Sequence, residues 1–401
     1  MTADYAAAVL SAVVLTVLAM ESPVFNSIAL FRMVDTMALG LDVMDVKPSL
    51  THLMLLAIQF VVGDALWAGK ALGVLSGVGC VVFSTRMFGP WAGLWVLAQT
   101  SFLVAVKDAD PVLPALCFFL CAMGLSARGL SKGAGIVGAI AVGCATWVWP
   151  LIVAVLWVSH QRIETITWLA IGAGLIFFCG VPMVPVFVRP DLHLGGAIMG
   201  HPAWMDLGLQ VGLLAIVWGT FRRNRASRGL GLTLMVGLVG AMAIPSTPSH
   251  LLHLQICIAL GVAAVEVGPA LLLGALIVLG FRLPDVWSVR PEEAGRRSAI
   301  QAMNGRKGQV MCTTRTFIRR DGDGVYEGCV GLESVGLPAT QIYPHHVWVH
   351  AQRMQVDWFV VEDRAVLHTY PWLQDLLEAP YPDGFSPVVD TVGWRVFRLN
   401  P

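Results

Sequence analysis

The stretch "KPSLTHLMLLAIQFVVGDALWAGK", residues 47–70, decides the fold. Its apolar run, 50–63, reads at first sight as one more membrane crossing. The other runs before residue 283 are 5–20, 70–85, 89–106, 111–127, 134–147, 150–159, 165–188, 205–221, 229–245, 250–265 and 268–281. Whether 50–63 crosses sets the side of everything that follows. Lys and Arg favour cytoplasmic loops. They cluster in "SARGLSKG" (Arg128, Lys132), "SHQRIE" (Arg162) and "RRNRASR" (Arg222, Arg223, Arg225, Arg228). These loops share one side only if 50–63 lies along the surface, or dips in and returns. Arg86 then joins them. About eleven spans remain, with the N-terminus inside and the C-terminal tail outside. The N-terminus lacks a basic signal-peptide region, so 5–20 is expected as a retained span, slightly short for a full crossing.

Composition supports a multi-span membrane protein. The 401 residues are 56% hydrophobic and 13% charged, with a mean hydropathy of +0.72. A soluble domain carries nearer a quarter charged residues. The charge is uneven: residues 285–401 hold 12 Lys/Arg and 14 Asp/Glu, half of the total. The expected architecture is an all-α polytopic domain over 1–283, with an outer loop at 21–70. A small soluble α/β domain outside the cytoplasm follows over 284–401, long enough for its own core. The zero net charge hides this division.

The topology places nine of the twelve acids before residue 285 on the outer side: Glu21, Asp35, Asp42, Asp45, Asp64, Asp108, Asp110, Asp191 and Asp206. Acids carry little topological weight, so this clustering marks the outer face as the working face.

Glu21 ends the first run. An ordinary interfacial carboxylate would sit there, and so would a general base held at the membrane surface. The following "SPVFNSIALFRMVDTMALG" places Val24, Ile28, Phe31 and Met37 near one face at helical spacing. An interfacial helix of that kind would hold the acid in place. Lys47, before Pro48, is either a snorkelling lysine or a cation gripping a phosphate at headgroup depth. "VAVKDADPVLPALCFFLCA" sets Asp108 and Asp110 just before an apolar helix, where acids suit the helix dipole and where they also suit a second carboxylate site. Arg189 and His201 lie in a further outer loop and are acceptor or loop candidates. His250 and His253, at i and i+3, are structural histidines or phosphate contacts. A divalent metal is a candidate cofactor, although no zinc spacing occurs. Six of the eight cysteines lie in apolar runs and read as small buried hydrophobes. Cys312 and Cys329 are the pair in the tail, and an outer location would allow a disulfide between them.

The ordered set of these pieces resembles the C-type glycosyltransferase superfamily, in its protein mannosyltransferase and aminoarabinose–lipid A transferase branch. The likeness rests on an acid after the first span (Glu21), on "KPSL" at 47–50, and on "GDALWAGKALGVLSGVGCVVFSTRMFGPWAG" at 63–93. It continues in "DADPVLPALCFFLCAMGLSARG" and in "DWFVVEDRAVLHTYPWLQDLL" of the tail. It is good over about 1–160, patchy to 283 and recognisable over 355–400. The resemblance implies transfer of a sugar from a polyprenyl phosphate to an acceptor on the outer face. Glu21 matches the catalytic acid, Lys47 a lipid-phosphate contact and Asp110 the second outer-loop acid. The implied partners are a polyprenyl-phosphate-linked sugar and membrane lipids, with no nucleic acid, at the inner membrane. Two departures keep an alternative open. Glu21-Ser22 stands where the family has Asp, often Asp-Glu, and "TWVWP" (146–150) replaces a Thr-Lys-x-Pro pattern. The alternative is a catalytically degenerate subunit or scaffold of a membrane complex, bound to a partner membrane subunit.

Overall fold

The computed structural model describes residues 3–20, 34, 37–38, 48–107, 109–110, 112–181, 183, 276, 280, 292–313, 317–320 and 326–400. The chain divides into two compact units.

The described part of the first unit is helical. Its helices are α1 (Ala3–Ala19), α2 (Leu50–Val62), α3 (Ala65–Phe88), α4 (Pro90–Leu97), α5 (Thr100–Lys107), α6 (Val112–Ala127), α7 (Ser131–Cys144), α8 (Trp149–Val158) and α9 (Arg162–Phe178). The apolar runs become helices because an apolar segment has few side-chain partners for its backbone, and a helix satisfies its own. Among the described residues, Ala65–Phe88 alone is long and apolar enough to cross a membrane by itself. Four others, of 10–17 residues, are shorter apolar helices.

The single span expected over 89–106 is two eight-residue helices, α4 and α5. Gln99 accounts for the break. It is buried at 2% exposure, and its side-chain Nε2 donates to Trp95 O at 3.1 Å. A continuing helix would give that carbonyl to the Gln99 backbone N–H, which donates instead to Val96 O. A buried amide in an apolar run needs a partner, and here it competes with its own backbone.

Close contacts fix the direction of each helix. α3 and α6 run parallel: Gly73 lies against Ala109 just before α6, Gly79 against Cys117, and Gly124 against Met87. α5 runs antiparallel to α3, with Gly77 beside Phe102 and Gly73 beside the Val106 carbonyl. A tight turn at Gly129 sends α7 back along α6. α9 runs parallel to α7: Gly135 meets Thr165 and Leu169, Gly172 meets Ala139, and Gly143 meets Ile176. Small residues at these positions let the two helices approach closely, as in membrane bundles. α8 returns between them, with Ser126 Oγ donating to Val155 O at 2.8 Å.

Two ends of the bundle follow. At one lie the start of α3, the end of α5, Asp110, and the ends of α7 and α9. At the other lie the end of α3, the turn between α6 and α7, and the start of α9. That second end carries Arg86, Arg128, Lys132 and Arg162, so these four cations share one end of the bundle, while Arg222, Arg223, Arg225 and Arg228 lie outside the described residues. There Lys132 pairs with Glu164 at 4.0 Å, and Arg162 lies 5.3 Å from the Trp157 ring.

α2 does not cross the bundle. At its start, Thr51 Oγ1 donates to Cys144 O at 3.2 Å, at the end of α7. At its finish, Gly63 and Asp64 lead straight into α3. Both of its termini therefore lie at the Asp110 end, and its 13 residues, roughly 20 Å, lie across that end. Gly63 takes φ +83, a backbone shape that closes α2 and turns the chain. Phe60, Val61 and Val62 are exposed.

The second unit is a small α/β fold. A five-stranded sheet has the order β4-β1-β5-β7-β6, from β1 (Gln309–Cys312), β4 (Val330–Gly331), β5 (Val356–Glu362), β6 (Phe385–Thr391) and β7 (Trp394–Leu399). β1 pairs parallel with β4 and β5, while β7 pairs antiparallel with β5 and β6. β2 (Ile318–Arg320) and β3 (Tyr326–Gly328) form a separate hairpin. Side chains alternate along the strands. Met311, Phe359, Val361 and Phe397 enter one core, with α11 (Pro344–Met354) and α12 (Asp363–His368). Val310, Cys312, Trp358, Val360 and Val396 enter the other, with α10 (Glu292–Met303). Cys312 and Cys329 are joined by a disulfide, with Cα atoms 5.7 Å apart.

Candidate functional site

The residues that could carry chemistry gather at the Asp110 end of the helical unit. α3 starts with Asp64 as its N-cap, Oδ1 accepting from Trp67 N at 3.1 Å. One turn on, Lys70 is buried at 6% exposure, its Nζ 4.9 Å from the centroid of the Trp67 ring. Lys107 ends α5 and is buried at 5% exposure. Both lysines have further partners. A cation inside a membrane bundle is costly unless paired, and so marks a site.

The loop after Lys107 is held tightly. Ala109 is buried with φ 52, a left-handed conformation rare for a residue with a side chain. Ala109 N donates to Val106 O at 3.2 Å and Asp110 N to Ala105 O at 2.9 Å. Asp110 Oδ1 accepts from Val112 N at 2.8 Å, and Asp110 O accepts from Leu113 N at 3.1 Å. Asp110 therefore caps the start of α6. On Gly73, a Cβ would lie 3.2 Å from Val106 O and 3.5 Å from Ala109 Cα. The bare backbone lets this loop settle one turn beyond Lys70.

α2 closes the same end. Ser49 caps it: Oγ lies 2.7 Å from His52 Nδ1, which also accepts from Ser49 N at 3.1 Å. This capping box places the start of α2 directly after Pro48, so Lys47 stands just before a helix N-terminus in the sequence.

Of the candidates read from the sequence, Asp110 is described in this arrangement. Glu21, Lys47, Asp108, Arg189, His201, His250 and His253 lie outside the described residues. Among the described residues, no three His, Cys, Asp or Glu side chains form a group able to hold a metal ion. Lys70 is not among the candidates that the sequence suggests. Its signal there is a lysine one turn after Trp67 inside an apolar run.

No protein family and no curated protein matches the chain in sequence. The fold does have solved counterparts. The structure of ArnT from Cupriavidus metallidurans bound to undecaprenyl phosphate superposes with TM-score 0.57 and 12% identity, covering 98% of this chain and 97% of that one. ArnT from the same organism in the apo state gives 0.51 and 13% over the same shares. A single-particle structure of the arabinofuranosyltransferase AftD from Mycobacteria gives 0.49 and 13%, covering 98% of this chain and 40% of that one. The chain has the fold of ArnT, as the resemblance to C-type glycosyltransferases implied.

Proposed function

We propose that this protein is a membrane glycosyltransferase that moves a sugar from a polyprenyl phosphate to an acceptor hydroxyl on the outer face. The observation that carries this reading is the end-to-end fold likeness to ArnT, a protein solved with undecaprenyl phosphate bound. The gathering of Lys70, Lys107 and Asp110 at one end, opposite Arg86, Arg128, Lys132 and Arg162, supports it.

In the proposed reaction the donor phosphate sits at headgroup depth near Lys47, with the field of Lys70 and Lys107 behind it. Glu21 removes the proton from the acceptor hydroxyl. The acceptor oxygen bonds to the anomeric carbon as the bond from that carbon to the phosphate oxygen breaks. The electron pair leaves with the polyprenyl phosphate, and the anomeric configuration inverts. A phosphate leaving group needs charge stabilisation more than a proton donor, which suits lysines and His250 or His253. Asp110 orients the acceptor hydroxyl, from a loop that its own capping bond to Val112 N holds in place. α2 lies in the membrane surface, the bundle spans about eleven times, and the second unit faces outside the inner membrane.

The test is transfer from a synthetic polyprenyl-phosphate-linked sugar by the full chain in lipid nanodiscs, following release of polyprenyl phosphate. Glu21→Gln is expected to abolish release with the melting temperature unchanged. Retained release would remove Glu21 as the base. Glu21-Ser22 in place of an acid pair favours the second reading, a non-catalytic subunit of a membrane complex. Co-purification with a membrane partner at constant stoichiometry, with no turnover of any donor, would establish that reading.

A further inference from the structure

The second unit carries a cleft of about 320 Å³ lined by Trp348, Ala351, Gln352, Gln355, Val356, Asp357 and Leu399. Trp348, Ala351, Gln352 and Gln355 recur at i, i+3, i+4 and i+7, so they form one face of α11 and its C-cap. Val356 and Asp357 begin β5, and Leu399 ends β7. Ala351, Val356 and Leu399 are buried and make an apolar floor. Trp348 is the aromatic wall. Gln352, Gln355 and Asp357 form an exposed polar rim.

The wall is fixed. Trp348 Nε1 donates to Asn400 O at 3.3 Å. Gly384, at φ +88, packs against the indole so closely that a Cβ there would lie 2.5 Å from Nε1. Among the described residues, the side chains of Gln352 and Gln355 make no hydrogen bond or ion pair, and the Asp357 carboxylate packs against the bare backbone of Gly308. Gln355 nevertheless holds a left-handed backbone, φ 54, with its N–H bonded to Ala351 O and Gln352 O, so its side chain leaves from a defined point.

We infer that this cleft is a carbohydrate subsite that takes one uncharged sugar ring of a glycan. A sugar ring has an apolar C–H face and a hydroxyl edge. The fixed indole and apolar floor match the face. Two amides and a carboxylate, which together donate and accept, match the edge. Asp357 is the one charged residue in the lining, which disfavours phosphorylated or acidic ligands. The volume lies at the small end of small-molecule sites, the size of a single ring rather than a long chain. The cleft would hold a saccharide on the soluble unit whether or not the helical unit transfers one.

The experiment is saturation-transfer NMR on the full chain in nanodiscs, with methyl glycosides of gluco-, manno- and galactopyranose and of arabino- and xylopyranose as probes. At least one glycoside is expected to receive saturation, strongest on the protons of one ring face. Trp348→Ala should weaken that binding at least about tenfold, the size expected for truncating a central aromatic anchor. Asp357→Asn and Gln352→Ala, both at exposed positions, should each weaken it about threefold, the size of one net hydrogen bond. Trp372→Ala, at an exposed tryptophan elsewhere on the unit, should leave it unchanged. If Trp348→Ala lowers the melting temperature, the two rim variants decide. No saturation of any probe, or saturation unaltered in the rim variants, would overturn the subsite. Probe binding without turnover of a lipid-linked donor would count against the transferase reading alone, and turnover without probe binding against the cleft alone.

Discussion

Asp110 Oδ1 accepts the backbone N–H of Val112 at 2.8 Å, so the acid proposed for chemistry also starts a helix. The two roles separate by substitution. Asn caps as well as Asp, whereas Ala does not. Asp110→Ala should destabilise the protein by about 1 kcal/mol. Asp110→Asn should leave the melting temperature unchanged while transfer falls on the order of a hundredfold, as misplaced or uncharged orienting groups cause. Full activity in Asp110→Asn would leave Asp110 with the capping role alone.

The two ends of the bundle should face opposite sides of the membrane. A single cysteine at Gly63, in a background lacking the other free cysteines, should react with an impermeant maleimide from outside intact cells. One at His160, between α8 and α9, should react after the inner leaflet is opened. Labelling of both from outside would contradict the assignment of Arg86, Arg128, Lys132 and Arg162 to the cytoplasmic side.

The α7–α9 contact should tolerate no side chain at Gly135. A Cβ there would lie 2.5 Å from Thr165 O and 2.7 Å from Leu169 N, both backbone atoms that cannot swing away. Gly135→Leu should destabilise by about 1–3 kcal/mol or more, read as a lower melting temperature in detergent. At Gly174, on helix α9, a Cβ would meet nothing within 4 Å, so Gly174→Leu should be near neutral.

Arg319 anchors the β2–β3 hairpin from inside. It is 1% exposed, pairs with Glu327 at 2.8 Å, and donates to the carbonyls of Met303 at 3.2 Å and Arg306 at 2.6 Å, and to that of Gly308. Arg319→Leu should cost about 3–5 kcal/mol, because it leaves Glu327 and three carbonyls without their partner. The measurement is urea unfolding of the second unit within the full chain, followed by tryptophan fluorescence. An unchanged midpoint would mean that water replaces the guanidinium.

The Cys312–Cys329 disulfide closes a loop of sequence separation 17 around that hairpin. Cys312→Ser with Cys329→Ser should cost about 3 kcal/mol by loop entropy. Thiol trapping of the protein from cells should find the pair oxidised, as expected for a unit outside the cytoplasm. A reduced pair in cells would place the unit on the reducing side and reverse the proposed topology.

Much of the fold is legible in the chain. The apolar runs at 111–127, 134–147 and 150–159 correspond to α6, α7 and α8 because an apolar backbone is satisfied most simply within its own segment, as a helix. The run at 89–106 misleads, because hydropathy sums over a window and does not register that one amide, Gln99, redirects a hydrogen bond. At the site, Asp110 is legible as an acid before a helix, while its capping bond is not. Lys70 escapes notice because a lysine in an apolar run has no neighbours in sequence that reveal its burial.

The sequence by itself determined a strongly apolar body followed by a charged tail, since hydropathy and charge are properties of composition. The pattern of basic loops predicts that 50–63 does not run from one side to the other, and α2 has both termini at the Asp110 end. Tertiary structure alone decided that α2 lies across the Asp110 end, that Lys70 and Lys107 are buried there, and that α11 and β5 enclose a cleft beside Trp348. Those facts depend on contacts between residues as far apart as Thr51 and Cys144, and packing at that separation is set by which surfaces fit, a quantity no local pattern carries.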